Sequence, residues 1–153
     1  IIPQGAGAQV ILSYNLTMRK KYEPGNYKLL VKRSVAGLGL FAGEPIKKDS
    51  CIIEYVGRII SEKEEYTSNS KYLFGINSKK TIDGSARSNK ARYINHSCKP
   101  NAEAVIHQAR VFIFATRNIK PGEEILYDYG QEYWQEHINK HGCRCSKCKQ
   151  KTS

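Results

Sequence analysis

Three of the five cysteines crowd into Cys143-Arg144-Cys145-Ser146-Lys147-Cys148. Thiols that close together make awkward disulfide partners for one another but good metal ligands. Such usage points to a reducing, intracellular setting. Cys51, in Cys51-Ile52-Ile53, reads as a buried structural thiol. A second group is aromatic: Tyr55 in Tyr55-Val56-Gly57, Tyr72 in Lys71-Tyr72-Leu73-Phe74, and the pair in Tyr127-Asp128-Tyr129. With ten tyrosines in the chain, the plain alternative for any one of them is a strand or core residue. The third group is polar, Arg92-Tyr93-Ile94-Asn95-His96-Ser97-Cys98, where a lone Asn-His pair could equally cap a helix. Glu123 and Glu124 come after Pro121-Gly122 and read as solvated carboxylates in a turn rather than an acid–base pair. No Ser–His–Asp or Cys–His order offers a nucleophile.

Gly37-Leu38-Gly39 lets a backbone approach a ligand closely, although a simple tight turn explains it as well. A dinucleotide site would need a helix after the glycines, whereas Leu40 to Ala42 reads as a short strand; no phosphate-binding Gly-Lys-Ser/Thr is present.

The elements that must position these groups are short. Tyr27 to Lys32 and Leu40 to Ala42 read as strands, as do Cys51 to Tyr55 and Arg58 to Ile60 around a bend at Gly57. Ser61-Glu62-Lys63-Glu64 is a capping box that opens a short helix. Tyr72 to Ile76 reads as a strand and Arg87 to Ile94 as a short helix. Glu103 to His107 and Arg110 to Ala115 predict a hairpin, its second strand fully buried by Val111-Phe112-Ile113-Phe114. Pro121-Gly122 precedes a strand over Ile125 to Tyr129, and Tyr133, Trp134, His137 and Ile138 share one face of a last helix over 131–140. The result is a β-rich α+β domain without repeats or low-complexity segments.

At 153 residues the chain is one domain with room for a core, and 40% hydrophobic against 25% charged residues suits a soluble globular protein rather than a disordered one. No apolar run reaches the roughly 18 residues of a membrane span. The chain begins with Ile1 and reads as a fragment or a processed form, and residues 1–16, without a basic n-region, make a poor signal peptide. A net charge of +11 favours polyanions such as nucleic acid or nucleoprotein, though a solvated basic face satisfies it too.

Taken in order, Gly37-Leu38-Gly39, Asn95-His96-Ser97-Cys98, Tyr127-Asp128-Tyr129 and the cysteine tail form a set, and through it the chain resembles a SET-domain protein lysine methyltransferase from about Lys28 to Lys149. The resemblance implies a SET fold of several small sheets, short helices and a C-terminal pseudoknot that brings Asn95 beside Tyr129. It divides the chain into an N-terminal arm (1–26), the SET domain (27–130) and a helix with a post-SET-like zinc tail (131–153). S-adenosylmethionine is expected against Ala36, Gly37, Leu38, Gly39, Tyr72, Asn95 and His96, with Arg92 bracing the turn or meeting the cofactor carboxylate.

By the same resemblance Tyr129 is the catalytic tyrosine, Tyr55 a second channel tyrosine, and Tyr127 stands where the family carries Phe or Tyr, which suggests mono- to di-methylation. The reaction is an in-line displacement that needs a neutral amine, alignment and exclusion of water. An ordinary lysine has a pKa near about 10.4, so its charged form must be disfavoured by desolvation and by the sulfonium. Cys98 would join Cys143, Cys145 and Cys148 around Zn(2+), although the gap before Cys148 is two residues where the family has four, and His141 competes for the fourth place. A metal-free set of thiols is the plain alternative.

The resemblance makes a histone or similar basic protein the substrate, approached along residues 70–78, with nucleosomal DNA a possible contact and no membrane partner. Glu62, Glu64 and Glu65 are candidates for an acidic strip facing such a substrate, with a solvated helix face as the alternative. Localisation depends on the host: nucleus and chromatin if eukaryotic or a host-directed effector, cytoplasm and nucleoid if bacterial. The rival readings are a non-catalytic SET-fold chromatin module and a small zinc-stabilised nucleic-acid binder.

Overall fold

A computed structural model describes residues 15–138, 142–145 and 148. Among them, four small sheets dominate and helices are few and short. β1 (Leu29–Ser34) and β2 (Gly37–Ala42) form an antiparallel hairpin from Leu29↔Ala42 to Ser34↔Gly37. Gly37 ends its tight turn at φ +110°, a region that excludes ordinary side chains.

β3 (Cys51–Tyr55), β8 (Ala102–His107) and β9 (Arg110–Ala115) make a second sheet in the order β3-β9-β8. β9 lies in the middle, which explains its apolar run. Val111 and Ile113 face the main core with Leu40, Ile52, Ile94 and Ile125. Phe112 and Phe114 face the other way with Cys51, covered by Tyr22 just beyond the helical residues 15–21 (α1). Tyr22 stacks on His107 at 3.8 Å. Fully burying each such aliphatic side chain contributes about 1.5–3 kcal/mol. Burial pushes the Cys51 thiol up to about 11, as expected of a structural cysteine.

The third sheet has the order β4-β6-β5, from β4 (Arg58–Ser61), β5 (Leu73–Asn77) and β6 (Lys80–Asp83). Between β4 and β5 lies α2 (Glu62–Thr67), whose capping box forms as its sequence predicts: Glu64 N–H donates to Ser61 Oγ, and Ser61 N–H to Glu64 Oε2. In the fourth sheet β7 (Asn95–His96) runs parallel to β10 (Leu126–Tyr127), pairing Leu126↔Asn95 and Tyr127↔His96.

Four elements differ from expectation. The segment before Asn95 is a 3-10 turn over Lys90–Tyr93 rather than a helix from residue 87. The strand expected over residues 125–129 is only β10, because β7 offers two residues to pair with. The last helix is a turn, α3 (Gln131–Tyr133), widening into a π turn over Trp134–Ile138; residues 139–140 and His141 lie outside the described residues, as do residues 1–14 of the expected N-terminal arm. β6 has no counterpart among the predicted strands. Among the described residues no helix is long and apolar enough to cross a membrane.

Candidate active site

The parallel pairing of β7 and β10 builds the site. Ser97 N–H donates to Tyr127 O (3.1 Å) and Asn101 N–H to Leu126 O (3.2 Å), extending the crossing beyond the two strands. Asn101 is buried and locks it from the side, donating through Nδ2 to Glu124 O (2.8 Å) and accepting from Leu126 N–H at Oδ1 (2.9 Å). Asn95 and Tyr129 thereby come to one place, as the pseudoknot expectation requires.

Two clefts open on either side of this crossing. One is bordered by Ser34, Ala36, Asn95, His96, Glu124 and the tail at Cys143–Cys145. The other runs past Tyr55, Tyr72, Phe74, Arg92 and Tyr127 to residues 68–75. Ala36, Lys71, Asn95, Tyr129 and Tyr133 belong to both, so these five form the wall where the clefts meet.

The second cleft is aromatic. Tyr127 and Tyr129 rings lie 4.9 Å apart, and Tyr133 meets Tyr129 edge-on at 4.7 Å. Phe74 stands 5.5 Å from Tyr55 and 6.4 Å from Tyr127. Two hydroxyls are tethered to backbone: Tyr129 Oη donates to Ile94 O (2.7 Å) and Tyr55 Oη to Tyr72 O (2.8 Å). Burial raises the pKa of Tyr55, Tyr127 and Tyr129, so all three are neutral phenols at physiological pH. They can orient and desolvate an amine; they cannot serve as phenolate bases.

Arg92 stacks its guanidinium on Tyr72 at 4.1 Å and on Tyr93 at 5.0 Å, and Nη1 donates to Ser85 O. Its Nε is buried with no partner among the described residues, a donor in the cleft wall. Its contacts thus tie the 3-10 turn to Tyr72 and Ser85, and the spare donor suits an anion.

His96 has a defined tautomer. The backbone N–H of Tyr129 donates to Nδ1 at 3.2 Å, and an amide can only donate, so the ring proton sits on Nε2. That atom lies 3.5 Å from Cys98 Sγ. Burial lowers the imidazole pKa, with Asp128 opposing, which keeps the ring neutral. The imidazole therefore ties the Tyr129 backbone to the sulfur cluster.

Cys98, Cys143, Cys145 and Cys148 place their sulfurs within 4.8 Å of one another. Cys98 Sγ is 3.7 Å from Cys143 Sγ and 3.8 Å from Cys148 Sγ. A tetrahedron of zinc–sulfur bonds of about 2.3 Å has edges of about 3.8 Å, so the cluster is compatible with zinc despite its shortened spacing. Burial raises the Cys98 thiol; at Cys145 burial also raises, but hydrogen bonds with Cys98 and Cys148 outweigh it and hold that thiol at about 6.

Glu124 and Tyr133 are the residues that sequence reasoning missed. Glu123 does behave as a surface carboxylate, paired with Arg117 at 3.1 Å. Glu124 instead is half-buried in the first cleft, accepting from Asn95 Nδ2 (2.8 Å) and Ser34 Oγ (2.8 Å). Of the acidic strip, Glu64 is used by the cap and by Arg58 (2.7 Å), whereas Glu65 borders the second cleft with Oε2 held by Thr81 Oγ1 (2.7 Å).

Residues 37–130 match the family model for the SET domain. The chain is similar to histone-lysine N-methyltransferase trr of Drosophila melanogaster, 34% identical over 83% of this chain and 6% of that protein. It is also similar to histone-lysine N-methyltransferase 2D of Homo sapiens, 33% identical over 83% of this chain and 2% of that protein. A putative histone-lysine N-methyltransferase, ASHH4 of Arabidopsis thaliana, is 43% identical over 65% of this chain and 32% of its own length. The chain thus spans a minor part of the relatives it matches. A family match that takes in Gly37 to Gly39, both crossing strands and the tyrosines of the channel means that this chain belongs to the SET domain family.

Proposed function

We propose that this domain transfers a methyl group from S-adenosylmethionine to the Nζ of a lysine in a histone or another basic protein. The observation that carries the reading is the meeting of two clefts at Asn95, Tyr129 and Tyr133, one polar and beside the glycine hairpin, the other aromatic. When bound, the cofactor supplies a sulfonium methyl, whose carbon–sulfur bond breaks as the lysine lone pair forms the new carbon–nitrogen bond. Ala36, Gly37, Leu38, Gly39, Tyr72, Arg92, Asn95 and His96 would hold it. Arg92, with its spare donor, suits the carboxylate.

The protein's part is desolvation and alignment. A lysine threaded between Tyr55, Phe74, Tyr127 and Tyr129 sheds water, and loss of hydration lowers its pKa toward the neutral amine. Tyr129, fixed through Ile94 O and through its own N–H on His96, aims the amine across the shared wall. Because the three channel phenols stay protonated, the ammonium proton leaves to water rather than to a tyrosine. Tyr127 restricts added methyl groups, which supports mono- to di-methylation.

A zinc ion held by Cys98, Cys143, Cys145 and Cys148 would pin the 131–153 tail over the domain of residues 27–130 and complete the channel. A charge of +11 on the chain supports docking of the enzyme on nucleosomal DNA, and the names of the relatives support a chromatin setting. The test is incubation with isotopically labelled S-adenosylmethionine and nucleosomes, read by mass spectrometry. Label on a histone lysine with wild type and none with Tyr129→Phe is expected; cofactor binding without transfer to any basic protein would favour the non-catalytic module.

A further inference from the structure

The first cleft holds a carboxylate that no part of the proposed mechanism uses. In a chain carrying +11, Glu124 is the only acidic side chain among the described residues lining that cleft. It is also rigidly placed. Its carbonyl accepts from Asn101 Nδ2 at 2.8 Å, and its backbone bridges to Phe41 of β2. Its two carboxylate oxygens accept from Asn95 Nδ2 and Ser34 Oγ, both at 2.8 Å. A Cβ on Gly39 would meet Glu124 Oε1, so a side chain there would displace this carboxylate from its place.

These contacts decide which way the Asn95 amide faces. Nδ2 donates to Leu38 O (3.0 Å) and to Glu124 Oε1 (2.8 Å), which uses both of its hydrogens. A flipped amide would set Oδ1 against a carbonyl and a carboxylate, two acceptors, and is excluded electrostatically. Asn95 therefore has only Oδ1 left for a ligand, and Oδ1 accepts. Each Glu124 oxygen also keeps a lone pair after its one tether. Two acceptors, one of them charged, converge where the cofactor reading puts the amino-acid end of its ligand, while the cations on the shared wall and beyond it, Lys71 and Arg92, stand ready for the carboxylate.

We propose that Glu124 is a specificity-determining residue that locks the Asn95 amide with its oxygen outward and makes this cleft select ligands bearing a primary ammonium, the α-amino group of S-adenosylmethionine. The inference rests on the proposed cofactor and adds to it the polarity of the clamp and the source of its charge.

The test compares two ligands on the whole chain by calorimetric titration: S-adenosylmethionine and the analogue whose α-amino group is replaced by hydrogen. Wild type should favour the amino-bearing ligand by roughly tenfold to a hundredfold, the range of a charge-assisted hydrogen bond. Glu124→Gln keeps size and an acceptor oxygen but removes the charge; it should narrow that preference to about threefold or less while leaving the analogue's affinity within about twofold. Glu124→Asp keeps the charge on a shorter arm and should retain most of the preference, which covers the case in which the Gln variant fails to fold. An unchanged preference in folded Glu124→Gln, an equal loss for both ligands, or a preference lost in folded Glu124→Asp overturns the assignment while the cofactor reading stands. If wild type binds neither ligand, the cofactor reading falls and this inference falls with it.

Discussion

The crossing of β7 and β10 and the cysteine tail sit side by side but are held by different physics. The crossing is closed by backbone hydrogen bonds and by the buried Asn101, all between residues of the chain itself. Among the described residues, the cysteines of the tail instead meet the crossing through sulfur contacts at Cys98, in addition to the ring contact of Tyr133 with Tyr129. The first should form without any metal; the second needs an ion to hold four sulfurs together once they are thiolates. In the proposed reading the crossing carries the chemistry and the tail completes the channel, so damage to each should look different.

The largest effect should come from the crossing. Tyr129→Phe removes the hydroxyl that donates to Ile94 O and that the proposed mechanism uses to aim the amine, and turnover should fall by about a hundredfold, in line with loss of one preorganised donor. Binding of S-adenosylmethionine, followed by calorimetry, should change little. Undiminished methylation would show that Tyr129 only packs. Asn101→Ala should act on stability, costing about 2–3 kcal/mol because Glu124 O and Leu126 N–H both lose a buried partner. Urea denaturation reads this directly, and a cost under about 0.5 kcal/mol would mean the two strands hold without Asn101.

Removal of the metal should be milder on the fold and selective for closure. Purified protein should carry about one zinc per chain. Chelation, or Cys98→Ser, should lower turnover by roughly tenfold while leaving the urea midpoint of the crossing nearly in place. His96 adds a signature, since its Nε2–H faces Cys98 Sγ. The ¹⁵N shifts of its ring should report the Nε2–H tautomer when zinc is bound, and the opposite tautomer would break the proposed link. Full zinc retention by Cys98→Ser together with loss in His141→Ala would move the fourth ligand into the tail.

How much of this could be read from sequence depends on the range of the interactions. Val111-Phe112-Ile113-Phe114 and the Ser61–Glu64 box announce themselves within a few residues, and both stand as read. β6 escapes because Lys80-Thr81-Ile82-Asp83 is short and half polar; Thr81 and Ile82 are buried only because β4 and β5 pair on either side. β10 is shorter than its apolar pattern because its length is set by the partner strand. Glu124 looks like a turn residue beside Glu123, and nothing local says that Asn95 and Ser34 will reach it. Asn95-His96-Ser97-Cys98 and Tyr127-Asp128-Tyr129 could be linked to one site through resemblance alone, since no periodicity or propensity encodes a parallel two-residue pairing.

Alkaline pH should separate folding from chemistry at the crossing. Burial holds the pKa values of Tyr55, Tyr127 and Tyr129 above the ordinary phenol value, which in the unfolded chain is about 10. The folded state keeps these protons where the unfolded state gives them up. Their contribution to stability is therefore full below about pH 10 and declines as pH rises beyond it. The urea midpoint should fall between about pH 10 and 11, while turnover should still rise from about pH 7 to 9 as the substrate amine is more readily deprotonated. A loss of turnover within that lower range without unfolding would imply a phenolate that the buried site does not support.

The smallest effect on rate, and the finest probe of the channel, is Tyr127→Phe. Tyr127 is buried against Tyr129 and Phe74, so deleting its hydroxyl leaves ring packing intact and opens room for about one small group. The first methyl transfer should stay within about twofold, because Tyr129 and the cofactor contacts are untouched. On the proposed reading a methylated amine must rotate to present its lone pair again, and the Tyr127 hydroxyl would restrict that rotation. Wild type should therefore accumulate mono-methyl lysine with slower di-methyl product, and the variant should move on to di- and tri-methyl. Time-resolved mass spectrometry of a short lysine peptide distinguishes these patterns. Tri-methyl product from wild type at early times would mean the channel is already roomy, and the limit on methylation would have to lie with Phe74 or Tyr55 instead.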